Sequence, residues 1–546
     1  MASTTNRSLP ARARFGPLVN TLIVTGGYLL SRVLGLARDV VITARFGTSA
    51  EMDAYRAAFN IPDLVYLIVA GGALGSAFIP VFSGFLAADR EEDAWRLASG
   101  VLNMTLLALL AACALLALLA DPLVTLTVGS GFDPAKRALT ANLIRLLLIQ
   151  PALLGLGGLA KATLESFDRF ALPAIGSNLY NLGIIGGALL GMGVYGLAWG
   201  VVAGAALFLL VQVPGLRAVG MRYNRAAGPG TPGVRQVAWL LGPRLFGQSA
   251  WQINLIAIVS FATLLGSGAV AANGYALQLM MLPHGLIALS LGTVIFPRLA
   301  RQHAAGDTAA LRAVALGAVR NVLFLALPAA ALLAVLRLPV LRALFQRGAF
   351  DATSTALTAE ALAFYALGLA AFAASEIVVR TFYAMQDTRT PVYIGVGAVL
   401  INIALGWTLL RLGFGLGGLA LAFSMANTLE AVSLLALLAA RLGGLGGDFW
   451  RALGRTALAT IAFGATLMAA LRLSQAVLPF LRPGDTYRWP ADFLPLVVWL
   501  AAVVTVGAAI YAGAAALAGS EEVRALLSRM VDLAAEARAR IAGRPR

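Results

Sequence analysis

Charge is what this chain of 546 residues has least of: 12% of its residues are Asp, Glu, Lys or Arg, against about 25% in an ordinary soluble domain. With 60% of residues hydrophobic and a mean hydropathy of +0.84, a water-soluble fold would need a core larger than domains build. Cysteine is nearly absent. Cys113 stands alone in an apolar run, so no internal disulfide forms and the chain says nothing about redox compartment. Histidine is confined to His284 and His303. No metal-ligand spacing, nucleophile elbow or phosphate loop accompanies them, which argues against an enzyme and against a cofactor. A membrane transferase working with Asp and Glu alone stays open. Lysine is limited to Lys136 and Lys161, so the net charge of +16 is almost wholly arginine. The arginines are dispersed among the connections instead of forming a stripe on one soluble face. That excludes a nucleic-acid partner and suits cytoplasmic loops and anionic lipid headgroups. No short apolar region with a small-residue cleavage site follows Arg7, Arg12 and Arg14, so no cleaved signal peptide is expected.

Long apolar runs are abundant. Each is about 20 residues, enough to cross the ~30 Å hydrocarbon layer. Stretches such as Leu106 to Leu119 are continuously apolar, not alternating, which predicts helices and excludes a barrel. The fold class is therefore an all-α polytopic membrane protein of about 14 transmembrane helices. The spans fall near 19–45, 54–84, 95–120, 138–161, 172–192, 196–216, 236–265, 270–297, 310–336, 356–384, 391–411, 414–440, 452–474 and 490–517. Two pairs turn over very short connections, Gly193-Val194-Tyr195 and Leu412-Gly413-Phe414. Arginine placement predicts that both termini are cytoplasmic. Residues 193–195 and 266–269, on the opposite side, are uncharged, while Arg342 and Arg347 break the pattern.

A Gly/Pro-rich polar stretch, 217–235, interrupts the chain between spans six and seven. The sequence on either side looks repeated. Gly75 to Pro80 answers Gly292 to Pro297 at an offset of 217, and Thr163, Asp168 and Pro173 resemble Thr381, Asp387 and Pro391. Duplicated halves are common in alternating-access carriers. The expected organisation is an N-terminal lobe 1–216, a cytoplasmic linker 217–235, a pseudo-symmetric C-terminal lobe 236–440, two extra spans within 441–518, and a basic amphipathic tail 519–546 lying on the membrane.

Ionisable groups inside spans are expensive and so point to function. The densest set is Ser31-Arg32-x-x-Gly35-x-x-Arg38-Asp39 in span one. At about 100° per residue, Arg32 shares a face with Asp39 and Ser31 with Arg38, and these adjacent rows form one polar seam. An internal Arg–Asp pair locking helix packing is one reading. One carboxylate cannot neutralise two arginines, however, and the guanidinium fork suits phosphate oxygens. The seam is read as an anion site facing a water-filled cavity or another helix.

That seam, followed by Phe46-Gly47 and Asp53-Ala54, resembles the opening of the MurJ/MviN flippases of the MOP exporter superfamily. Further resemblances lie at Phe167-Asp168-Arg169-Phe170 with Pro173, Leu241-Gly242-Pro243, Leu291-Gly292-Thr293 with Pro297, Phe345 to Phe350, and the run Phe382 to Pro391. The resemblance implies a lipid II flippase, moving the undecaprenyl-diphosphate-linked peptidoglycan precursor from inner to outer leaflet of the bacterial cytoplasmic membrane by alternating access. It implies a lipid-linked sugar diphosphate as substrate, surrounding membrane lipids, and other cell-wall synthesis proteins as partners. Arg32, Arg38, Asp39 and Ser31 would line the central cavity.

The chain departs from the family pattern in places. An arginine is usual in span two where this chain has Leu67, acidity is usual near Gly71-Gly72, and a further cavity arginine falls at Gln278. Arg56, ~16 Å along the axis from Leu67, either compensates at another depth or anchors the span. Asp53, Gln252, Glu376 and Arg380 are candidates for coupling or for structure, with Glu376 and Arg380 spaced to pair directly. Gln248, Asn254, Asn178 and Asn181 read as amides joining helices, Arg145 as a snorkelling or cavity group, Glu430 as an ion-coupling candidate and Asp387 as a cap. A flippase for another lipid-linked oligosaccharide (O-antigen or exopolysaccharide type) is the chief alternative, and a non-transporting scaffold of cell-wall assembly a further one.

Overall fold

The computed structural model describes residues 17–69, 73–484 and 486–524, and within them leaves out the side chains of 17–25, 28–29, 68–69, 73 and 242–249. Arg7, Arg12, Arg14, Gly71-Gly72, the Gln248 side chain and most of the expected amphipathic tail lie outside the described residues. Before the Gly/Pro linker come α1 (Pro17–Phe46), α2 (Ala50–Val69), α3 (Ala73–Ala87), α4 (Glu91–Leu118), α5 (Ala120–Leu126), α6 (Pro134–Leu147), α7 (Ile149–Glu165), α8 (Ala171–Leu189), α9 (Gly193–Leu210) and α10 (Val213–Ala218). After it come α11 (Val234–Thr263), α12 (Ala269–His284), a π-helical turn Gly285–Leu289, α13 (Ser290–Ala304), α14 (Thr308–Val335), α15 (Arg337–Leu344), α16 (Ala352–Ala384), α17 (Arg389–Arg411), α18 (Gly415–Leu442), α19 (Gly447–Val477) and α20 (Phe493–Leu517).

Among the described residues ten helices are long and apolar enough to cross a membrane. Helices α1, α2 with α3, α8 and α11 occupy the four other expected spans. The all-helical membrane architecture is therefore as the apolar runs dictate. One short turn differs in position: α8 ends at Leu189 and α9 already begins at Gly193, so the break falls at 190–192. Gly191 supplies a φ of +75° there, a conformation that side chains with a Cβ resist.

The chain divides into two compact units. Unit 1 holds residues up to Ile42, then Ile61–Ala120 and Asn142–Phe246; unit 2 holds Thr43–Asn60, Asp121–Ala141 and the chain from Gly247 on. In lipid no hydrophobic gain drives one helix onto another, so close packing has to. Unit 1 achieves it through glycine. A Cβ on Gly187 would lie 2.5 Å from the Gly200 Cα, and one on Gly200 would lie 2.6 Å from the Gly183 carbonyl oxygen. Helices α8 and α9 thus touch backbone to backbone. Elsewhere in unit 1 an aromatic cluster forms, with Phe82 against Trp95 and Trp95 stacked on Phe167 at 5.9 Å. The Gly/Pro linker is tied to α4, where the Asn103 amide donates to the Ala227 carbonyl at 2.9 Å and Ser99 Oγ accepts from the Asn224 amide.

In unit 2, α16 is the central helix. Its apolar window is 61% buried, against 11% for α20 and 17% for α17, so the last two present most of their surface outward. Arg342 and Arg347 have a structural reason to break the arginine pattern. Arg342, 2% exposed, donates to the carbonyls of Phe480 and Gly484 at 2.7 Å each. Arg347 lies 4.3 Å over the Trp489 ring. Both strap the 478–493 connection onto the α15 region, so neither reports on membrane sidedness. Asp387 is a cap, as its position suggests. Its carboxylate accepts from the amides of Arg389 and Thr390 at 3.0 Å, from the Thr390 hydroxyl and from Arg441, both at 2.6 Å.

Candidate functional site

The α1 seam lies in unit 1. Arg38 grips Asp39 through Nε at 3.1 Å and a terminal nitrogen at 3.0 Å, and its other terminal nitrogen donates to Asn181 Oδ1 of α8 at 3.1 Å. Asp39 is buried, Ser31 and Arg38 are half-buried, and Arg32 is exposed. The carboxylate therefore serves the arginine beside it, not the one two turns away that helical periodicity placed on its face. Arg32 keeps its donors available. A Cβ on Gly35 would meet nothing within 4 Å, so the seam is open at its centre. Arg145, also in unit 1, donates to the Ala117 carbonyl and to Asn142.

The other candidates belong to unit 2. Asp53 is wholly buried and saturated: Lys136 Nζ at 2.8 Å, the Gly268 amide at 2.6 Å and the Ala271 amide at 2.8 Å all donate to it. Its charge thus sits at the N-terminus of α12, where the helix dipole favours an anion. Arg56 lies 3.9 Å over the Tyr275 ring, its Nε buried without a partner. That stacked pose fits the anchoring role. Gln278, half-buried on the same α12, has a polar partner. Gln252 donates to the Asn60 carbonyl at 3.1 Å. Glu376 and Arg380 pair at 2.7 Å, and Arg380 reaches Thr293 at 3.3 Å. The direct pairing that their spacing suggested is formed. Asn254 and Asn402 are joined at 2.5 Å, and with Trp251, Phe372, Asn427 and Glu430 they line a cavity of about 160 Å³.

Two residues were overlooked in the sequence. Lys136 is the partner of Asp53, 83 positions away; only its rarity as one of two lysines marks it. Asp63 is a carboxylate inside the second apolar run, and the rule that makes Arg32 conspicuous applies to it equally. It lies on α2 in unit 1, half-buried, one turn from Tyr66 and within electrostatic reach of Tyr180. Among the described residues no three His, Cys, Asp or Glu side chains group to hold a metal ion. In unit 1 the Arg32 guanidinium is exposed, two turns before the paired Arg38 and Asp39.

Known proteins resemble the chain over most of its length. The profile of the family described as "Lipid II flippase MurJ" matches residues 42–480. A "Lipid II flippase MurJ" of Burkholderia cenocepacia is 32% identical over 424 residues, 76% of this chain and 82% of that protein. A "Probable lipid II flippase MurJ" of Haemophilus influenzae is 30% identical over 497 residues, covering 87% and 95%. Among solved structures, "Lipid II flippase MurJ, inward closed conformation" superposes with a TM-score of 0.72 at 23% identity, over 90% of this chain and 98% of that one. An inward-facing multidrug transporter of the MATE family, MOP superfamily, follows with 0.65 at 14% identity over 78% and 98%. These two likenesses carry the fold.

Proposed function

The chain belongs to the MurJ lipid II flippase family, and on that premise we propose that it carries lipid II from the inner to the outer leaflet of the bacterial cytoplasmic membrane by alternating access. The observation that carries this reading is the pose of the α1 arginines. Arg38 is aimed by Asp39 and Asn181, and Arg32 is exposed one face away with its donors unspent. Such a pair suits a diphosphate, the charged junction between polyprenyl tail and sugar. Charge-assisted hydrogen bonds of this kind contribute about 1.5–3 kcal/mol each. Carriage follows if the substrate binds both access states without trapping either. The arginine distribution supports cytoplasmic termini, with the linker on the same side.

The deciding test is growth rescue of cells depleted of their own lipid II flippase. The chain restores growth, and Arg32→Ala together with Arg38→Ala abolishes rescue at equal membrane expression. Full rescue by the double variant would remove the diphosphate role from α1. The uncharged Leu67 and the half-buried Gln278, where the family resemblance places arginines, favour a second reading, a flippase for another lipid-linked oligosaccharide. On that reading the chain rescues a strain lacking an O-antigen or exopolysaccharide flippase and fails in the lipid II-depleted one.

A further inference from the structure

On α2, Pro62-Asp63-Leu64-Val65-Tyr66 places an acidic and a phenolic side chain one turn apart on one face. Asp63 is set deep in unit 1 yet retains accessible surface, and among the described residues no donor meets its carboxylate. Tyr180 of α8 lies within electrostatic reach of Asp63, Tyr66 and Arg38 at once, so the carboxylate and the α1 seam share one neighbourhood. That neighbourhood is rich in oxygens lacking donors. Gln150 Nε2 donates to the Tyr180 hydroxyl at 3.1 Å, while Gln150 Oε1 is buried with no partner. Asn178 Oδ1, one turn before the Asn181 that holds Arg38, is in the same condition. Buried acceptors are nearly always satisfied, and a surplus of them calls for an electropositive guest.

The charge balance points the same way. Arg32 and Arg38 bring two positive charges, Asp39 takes one away, and Asp63 takes a second when ionised. A lipid-linked diphosphate, negative on each phosphoryl group, would then meet side chains whose charges cancel, with one ionised carboxylate opposing it. A divalent cation between carboxylate and diphosphate turns that opposition into attraction. Magnesium is held in this manner, by one or two carboxylates together with substrate phosphates and retained waters, seldom by an all-protein cage.

We propose that Asp63 makes unit 1 a half-site for a hard divalent cation, completed by the substrate diphosphate, so that the cargo is bound as its magnesium complex. The inference rests on the diphosphate reading above. Asp63 supplies an inner-sphere oxygen, the hydroxyls of Tyr66 and Tyr180 and the Gln150 amide orient the cation's waters, and Arg32 and Arg38 take the phosphoryl oxygens facing away from the metal. With one protein carboxylate, the cation binds only together with the diphosphate.

The test is a lipid II binding titration on the full-length protein in nanodiscs of phosphatidylcholine, with magnesium chloride or with EDTA. Wild type binds about tenfold more tightly with magnesium, within the usual range of coupling between two ligands. Asp63→Asn, which keeps the shape, binds equally in both buffers, and Asp63→Glu regains part of the magnesium gain. Arg32→Ala with Arg38→Ala binds weakly in both. Equal wild-type affinity in magnesium and EDTA, or a full magnesium gain in Asp63→Asn, overturns the cation site while leaving the arginine reading intact. Unweakened binding by the double arginine variant overturns the diphosphate reading itself. Tighter binding by Asp63→Asn in both buffers shows the carboxylate to be merely repulsive and likewise removes the proposal.

Discussion

Asp53 shows how far a single carboxylate in this molecule depends on its surroundings. It has no exposed surface, and its two oxygens take an ammonium and two helix-terminal amides. Removing one member of a buried ion pair leaves the other uncompensated, at a cost of about 3–5 kcal/mol. Asp53→Asn should therefore lower the thermal midpoint of the purified protein clearly, and Lys136→Met made in the Asp53→Asn background should recover part of the loss. Equal melting of wild type and Asp53→Asn would refute the burial argument. Asp387 offers a contrasting case at an exposed loop. The Thr390 hydroxyl and amide, then Arg441, hold its carboxyl well below the usual carboxylate range. A lowered folded value means stability that is complete above the unfolded carboxylate's pKa of about 4 and lost as pH falls toward the folded value. Wild type should thus outlast Asp387→Asn in chemical denaturation at pH 7, with the gap narrowing at pH 3; a gap that widens on acidification contradicts this. At this scale the sequence was half legible. Arg32, Arg38 and Asp39 stand out because charge is rare in an apolar run. That Arg38 would turn to its neighbour and to Asn181, and that Lys136 would find Asp53, depends on which helices face each other, and spacing along one helix carries no such information.

At the scale of elements, the α8–α9 pair is a helix contact that glycines make backbone to backbone. Because Gly187 and Gly200 meet at the backbone, no flexible side chain can yield to an added group. Gly200→Ala should lower the thermal midpoint by the equivalent of about 1–3 kcal/mol, the ordinary range for overpacking, and Gly200→Leu should abolish a monodisperse product in size exclusion. Gly186, whose Cβ would meet nothing within 4 Å, is the control, and Gly186→Ala should behave as wild type. The helices themselves were readable from the apolar runs, since about 20 consecutive apolar residues admit few other structures. The short α15 and the separate α5 were not, because a few turns of helix beside a longer run leave no distinct periodicity. Nor was the π-helical turn at 285–289, which follows Pro283 and rests on a local hydrogen-bond shift.

At the scale of the whole molecule, sidedness is the property most open to test. The sole native cysteine allows a clean background in Cys113→Ala. Ala226 in the linker and Ser267 between α11 and α12 are both exposed. In intact cells a membrane-impermeant maleimide should label Ser267→Cys and spare Ala226→Cys until the membrane is permeabilised. Labelling in the opposite order inverts the assigned topology. The overall class was legible from composition because 12% charged residues is about half the share of an ordinary soluble domain, beside 60% hydrophobic residues. Membership of the MurJ family needed several motifs taken together.

The buried pair of Lys136 and Asp53 has a practical corollary for anyone handling the protein. Of the two lysine side chains, Lys136 is spent inside unit 2, with 9% of its side chain accessible. Lys161, on α7 in unit 1, is 37% accessible and only loosely engaged by Glu165 at 3.8 Å. Amine-directed reagents therefore find essentially one side-chain target. Succinimidyl dyes and surface-coupling chemistries that reach a lysine will converge on α7, with the α-amino group as the competing amine, and a lysine-bridging crosslinker finds no second accessible lysine within the chain.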